Sequence, residues 1–271
     1  MRRCIRLLIA FDGTAYKGWQ RQQQVPTIQA TLEEALGRIC GHLVILHGAG
    51  RTDAGVHALG MVAHFHTSVQ HPLTAFTRGV NSLVPPDIRI LDAREEKTNF
   101  HSRYGALGKT YRYDLHAGGI QLPTRRFYEG HFPGSLDSQA IRTCLELIVG
   151  THDFSSFEAA GSRNPLQEGR GAVRTIIDAS LRENGRQNYS LFFTGDGFLR
   201  HMVRNLVGTL IQAGRGAISQ EQFKKILANR DRSQAGPTAP ACGLFLETIY
   251  YDPKNFPLRG KKHEPSPVHD R

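Results

Sequence analysis

Carboxylates are scarce in this chain, sulfur is scarcer, and no long apolar run occurs at all. Its 271 residues hold 24 Asp+Glu against 34 Lys+Arg, a formal net charge of +10 at pH 7. A positive field of that size steers and holds phosphates, so composition points to a polyanionic partner. A basic protein with no nucleic-acid role is the alternative that charge alone leaves open. The four cysteines, Cys4, Cys40, Cys144 and Cys242, lie far apart with no CxxC pair. That excludes a zinc ribbon or a disulfide framework and predicts buried thiols in a reducing compartment. No apolar stretch approaches the roughly 20 residues that span a bilayer. The opening MRRCIRLLIAF imitates a signal peptide, but Arg6 interrupts it, Asp12 ends it, and no small-x-small site follows. The expectation is a cytoplasmic protein with no membrane contact.

Several chemistries are missing as well. The loop GAGRTDAG, with glycines at 48, 50 and 55, matches neither GxGxxG nor GxxxxGK[ST]. The segment after Gly55 reads as a strand, so the helix N-terminus that would cradle a phosphate is absent, and a nucleotide cofactor loop is rejected. No GxSxG elbow appears. His64 and His66 alternate on one strand with His57 nearby, but no third ligand stands at a diagnostic spacing, which favours a structural or RNA-facing role over a metal. Asp53 is the only acid in its loop, so paired-carboxylate chemistry has no second member there. An aspartate nucleophile acting on a phosphate ester would want a second acidic metal ligand, which the loop does not offer. The commoner use of an Asp beside Gly is an Asx turn.

What is present is a long alternation of strands and helices. A strand is expected over Arg3–Phe11, then a polar loop. Ile28, Leu32, Ala35, Leu36 and Ile39 follow at helical spacing. LVILHG and HALGMVAHFHT read as strands, PLTAFTRGVNSLV as a helix and DIRILDARE as a strand. Strand, helix, strand, strand, helix, strand is the split βαβ order of ferredoxin-like folds. In the second half GKTYRYDLH, AVRTIIDASL, NYSLFFTG and LFLETIYY read as strands, and LDSQAIRTCLELIVG and SQEQFKKILANR as helices. The clearest helix is FLRHMVRNLVGTLIQAG, with an apolar stripe through Leu199, Met202, Val203, Leu206, Val207, Leu210 and Ile211. Arg204 borders that stripe; reaching into a cleft and snorkelling to solvent are equally open to it. Beyond Pro253 the composition reads as a disordered basic tail.

Several blocks carry a family likeness. GAGRTDAGVHA resembles the active-site motif of the tRNA pseudouridine synthase A family. FDGTAYKGWQRQ, GVNSLVPPDI, FHSRYGALGKTYRY, HDFSSF, FLRHMVRNLVG and ACGLFL resemble further family blocks in the same order, over Arg3 to Tyr251. Met61 stands where glutamine is common in the family, and the loop GSRNPLQEGRG at 161–171 is longer and more basic than usual. The resemblance implies an α+β fold of two ferredoxin-like halves, with antiparallel sheets, helices on one face and a basic cleft between them. The division it implies is 1–105 with the catalytic loop, 106–252 completing the site, and 253–271 as the tail. It further implies a cofactor-free isomerisation of uridines 38, 39 and 40 in the tRNA anticodon stem-loop, performed by a homodimer. Matched residue by residue, Asp53 is the catalytic carboxylate, Arg51 its neighbouring arginine, Tyr111 the residue stacking on uracil, and Arg204 the carboxylate's partner. Leu244 and Gly55 are candidates for the cage around the turning base. A catalytically silent tRNA-binding paralogue is the alternative function.

Overall fold

The computed structural model describes residues 2–162, 169–185 and 187–257. The chain runs β1 (Arg3–Phe11), α1 (Ile28–Cys40), β2 (His47–Gly48), β3 (His57–Thr67), β4 (Ile88–Glu96), β5 (Gly108–Ala117), β6 (Gly130–Phe132) and α2 (Ser138–Ile148). It continues through β7 (Gly150–Asp153), β8 (Val173–Glu183), β9 (Asn188–Gly195), α3 (Met202–Gly214), α4 (Gln220–Asn229) and β10 (Leu244–Tyr250). The α+β class expected from the sequence is the class observed, with one large and mostly antiparallel sheet.

The strand order is β4-β1-β3-β10-β5-β9-β8-β7, with β2 on β3 and β6 on β5. The last strand therefore lies in the middle. It joins β3 in parallel, Phe245 opposite His57 and Leu246 opposite Ala58. It joins β5 antiparallel, Leu246 opposite Tyr111 and Leu244 opposite Tyr113. Among the described residues, strands formed by residues 3–96 and by residues 108–195 meet only through this C-terminal strand, which fixes the register of one set against the other.

Three expected elements differ. Of LVILHG only His47–Gly48 is strand. Val44 and Leu46 are buried and Leu43 and Ile45 exposed, an alternation that imitates a strand. The backbone of Leu46 bonds to α1 instead: Gln29 Nε2 donates to its carbonyl at 2.9 Å and its N–H donates to Glu33 Oε1 at 2.9 Å. PLTAFTRGVNSLV is helical, but it winds as a π-turn over Ala75–Gly79, with Asn81 tied through both amide atoms to the backbone of Ile90. The expected helix from Phe198 begins at Met202, because His201 sits in left-handed backbone at φ 61° and breaks the spiral before it. Among the tail residues, 253–257 form a turn that lays Phe256 against Tyr250, ring centroids 5.4 Å apart. The rest of the tail, 258–271, and residues 163–168 of the basic loop lie outside the described residues.

Candidate active site

The loop bearing Asp53 leaves β2 and enters β3, and its backbone is held by the first loop of the chain. Trp19 N–H donates to Thr52 O at 3.1 Å and Gly55 N–H to Tyr16 O at 3.3 Å. Gly18, at φ +88°, lets the two backbones touch: a Cβ there would sit 3.1 Å from the Asp53 carbonyl carbon. Trp19 is buried, and a Cβ on Gly48 would meet its ring at 2.6 Å. The block FDGTAYKGWQ is thus the bed on which the Asp53 loop lies. Gly55, at φ +76°, makes the turn after Asp53 and faces Ala241 of the ACG segment.

On the other side Lys109 Nζ donates to Ala49 O at 2.8 Å. Burial and then the charge of Arg103 lower this ammonium's pKa to about 8. Desolvation is the larger cause.

From α3 comes Arg204. Its Nη1 donates to Asp53 Oδ2 at 3.2 Å although the residues are 151 apart in sequence. Its Nε donates to Ala239 O at 2.8 Å, so the guanidinium plane is fixed at two points. The Arg204 side chain is 15 % exposed and that of Asp53 26 %. Of the two positions open to Arg204, inward or towards solvent, the structure shows the inward one. His201 Nε2 also approaches Asp53 Oδ2, at 3.5 Å.

Tyr111 comes from β5, buried at 8 % exposure. Burial, and then the negative charge of Asp53, raise its phenol pKa, so the hydroxyl keeps its proton. Phe198 meets its ring edge-on, centroids 5.0 Å apart at 81°.

Asp53, Arg204 and Tyr111 are therefore brought together. Leu244 is buried at the start of β10, one strand from Tyr111's own. Arg51 is exposed and makes no ion pair with Asp53 among the described residues. His201 and Phe198 were not singled out from the sequence. Both stand in FLRHMVRN, where the polar His just ahead of an apolar helix was the signal available.

The histidines do not converge on a metal. His57 bonds to Phe127 O and lies beside Asp12, whereas His64 packs with His47, His66 and His101. Ser102 N–H donates to His64 Nδ1 at 3.2 Å, which makes that nitrogen an acceptor and leaves the proton on Nε2. No group of three His, Cys, Asp or Glu placed to hold a metal ion occurs among the described residues. No described helix is long and apolar enough to cross a membrane.

The arrangement is a carboxylate gripped by a guanidinium, flanked by a buried tyrosine and set in a basic chain. The family profile described as tRNA pseudouridine synthase matches residues 7–105 and 145–252. The chain belongs to that family. It is 50 % identical over 250 residues to tRNA pseudouridine synthase A 1 of Desulfotalea psychrophila, covering 92 % of this chain and all of that one. It is 42 % identical to tRNA pseudouridine synthase A of Syntrophotalea carbinolica, covering 93 % and 97 %. Against the Maridesulfovibrio salexigens protein of the same name identity is 44 %, covering 91 % and 90 %.

Proposed function

We propose that this protein isomerises uridines 38, 39 and 40 of the tRNA anticodon stem-loop to pseudouridine, with Asp53 as the catalytic carboxylate and no cofactor. The observation that carries the proposal is the Arg204–Asp53 contact at 3.2 Å, closed across 151 residues beside Tyr111. The reaction breaks the N1–C1′ bond, turns the base and rejoins it through C5. Bond cleavage develops positive character on the ribose, which an ionised carboxylate stabilises. Asp53 then either attacks covalently or takes the C2′ proton to give a glycal. Arg204 pairs with the carboxylate through Nη1 at 3.2 Å without competing for protons, because a guanidinium stays charged.

A stem uridine is reached only by flipping, at a cost of a few kcal/mol. In this proposal Arg51, exposed beside the loop, fills the vacated space or holds the neighbouring phosphate. Tyr111 stacks on the uracil, worth roughly 1–3 kcal/mol per base. Its raised pKa suits it to stacking and to donating a hydrogen bond in the resting enzyme. Leu244 and Gly55 exclude water while the free base turns. We assign 1–105 and 106–252 as the two halves flanking the cleft, in a cytoplasmic homodimer that grips one tRNA arm.

The test is to map pseudouridines in a tRNA transcript incubated with the pure protein, without metal or nucleotide. Asp53→Asn and Asp53→Ala are expected to abolish product while tRNA still shifts in a gel. Turnover by both variants would sink Asp53 as the acid. A shift by the wild-type protein with no pseudouridine would make the chain a silent tRNA-binding paralogue.

A further inference from the structure

His201 stands immediately before α3 with φ 61° and ψ 0°. An L-residue with a Cβ adopts this left-handed backbone at a cost, and Gly or Asn would take it more readily. What that backbone achieves is placement: Nε2 lies 3.5 Å from Oδ2 of Asp53, with the His201 side chain 27 % exposed. Arg204, three residues on along α3, engages the same oxygen. Both contacts converge on Oδ2. Among the described residues no hydrogen bond or ion pair is recorded to Oδ1.

We propose that His201 is a positioning residue of this site, holding Oδ2 of Asp53 together with Arg204 and thereby presenting Oδ1 as the oxygen that meets the ribose. The proposal rests on Asp53 being the reacting acid. Neutral imidazole does this by donating Nε2–H to Oδ2 while Nδ1 keeps its lone pair. The present separation is longer than a good hydrogen bond, as is common before substrate tightens a site. The groups bearing on the ring are Asp53 on its loop, Arg204 on α3, Arg200 on the preceding turn and Arg232 beyond α4. Burial lowers the imidazole pKa, Asp53 opposes that, and the three guanidiniums add to it. The ring is accordingly neutral at neutral pH. Protonation in acid would turn the hydrogen bond into a full ion pair and draw electron density from the carboxylate. A guanidinium stays charged over this range, so the protonation the pH profile follows is that of the His201 ring.

Two variants separate positioning from folding. Asn accepts the left-handed backbone but is too short to reach Oδ2. Gln reaches with an amide N–H that does not titrate. Single-turnover rates on a tRNA transcript, with binding and melting measured alongside, are read across about pH 5.5 to 8.5. His201→Asn is expected to lower the rate constant about thirtyfold at neutral pH with tRNA affinity unchanged within about twofold. His201→Gln recovers to within about threefold of wild type and loses much of the fall in rate below about pH 6.5. A wild-type rate in His201→Asn overturns the proposal. So does a Gln variant that folds but is no better than Asn, or one that keeps the wild-type pH profile. Activity in both Asp53→Asn and Asp53→Ala would instead overturn the assignment beneath it, which the His201 variants do not address.

Discussion

Gly208→Ala converts helix packing into a measurement on the proposed active site. Gly208 lies inside α3, where Ala is ordinarily the better residue by about 1 kcal/mol. Here a Cβ would run into the Pro237 carbonyl oxygen, 2.9 Å from the carbonyl carbon. The neighbour is backbone, and it lies just as close in return, since a Cβ on Gly236 would stand 2.8 Å from Gly208 O. To reach ordinary contact the 236–239 segment must retreat by more than about 1 Å. That segment is bonded to α3 by Gly236 N–H to Thr209 Oγ1 at 2.9 Å, Thr238 Oγ1 to Asn205 Oδ1 at 2.7 Å and Ala239 N–H to Arg204 O at 3.1 Å. It also accepts from Arg204 Nε through Ala239 O at 2.8 Å. Overpacking costs about 1–3 kcal/mol and each weakened hydrogen bond about 1 kcal/mol. Set against the helix gain, the net loss is about 3 kcal/mol, a fall in Tm of roughly 6–12 °C for a chain of this size. Because Arg204 moves with Ala239, the rate is expected to drop about a hundredfold even at a temperature where the variant is folded. The comparison is Gly37→Ala, also helical, whose Cβ would meet only His42 O at 3.5 Å. It should be neutral or stabilising by up to about 1 kcal/mol. Thermal melts and single-turnover rates on both variants decide the matter. A Gly208→Ala protein that melts at or above wild type, with wild-type turnover, would refute both the packing argument and its link to Arg204.

Two further outcomes are expected. Arg204→Lys replaces a planar fork by one ammonium, which cannot serve both Ala239 O and Asp53 Oδ2; kcat should fall about 10–100-fold with tRNA affinity little changed, and a wild-type kcat would rule out the fixed guanidinium as a requirement. His64, buried among other imidazoles, has its pKa lowered from 6.5 to about 4, burial being the main cause and the neighbouring His101, His47 and His66 adding to it. The unfolded chain therefore binds the extra proton first, so this stabilisation is complete above the unfolded pKa and is lost as pH falls towards the folded one. Between about pH 7 and 5 the loss amounts to about 2 kcal/mol. His64→Asn keeps an acceptor for Ser102 N–H without titrating, so its denaturation curves should show that much less acid sensitivity, and an unchanged slope would exclude His64 as the cause.

Local pattern and distant pairing differ in how far the residues disclose them. The strands Arg3–Phe11 and His57–Thr67 could be read to the residue, because alternation and bounding polar residues are local properties. The false strand at 43–46 has the same local pattern, and only the side chains of Gln29 and Glu33 decide against it. The turn at His201 has no local signature either, since nothing in FLRHM demands left-handed backbone there. The largest step that local pattern does not disclose is the insertion of Leu244–Tyr250 between β3 and β5. A strand's composition says nothing of its neighbours, yet this pairing builds the site. Asp53 lies four residues before His57; His57 is opposite Phe245, and the adjacent Leu246 is opposite Tyr111. Neighbouring strands lie about 4.8 Å apart, so the register carries Tyr111 to within two strand spacings of the start of β3, beside the loop that holds the carboxylate. Arg204 closes the arrangement from α3, tied to Ala239 just ahead of the same strand. The motif GAGRTDAG could name Asp53 by resemblance, but the chemistry of that lone acid is set by β10, the strand that brings its partners in.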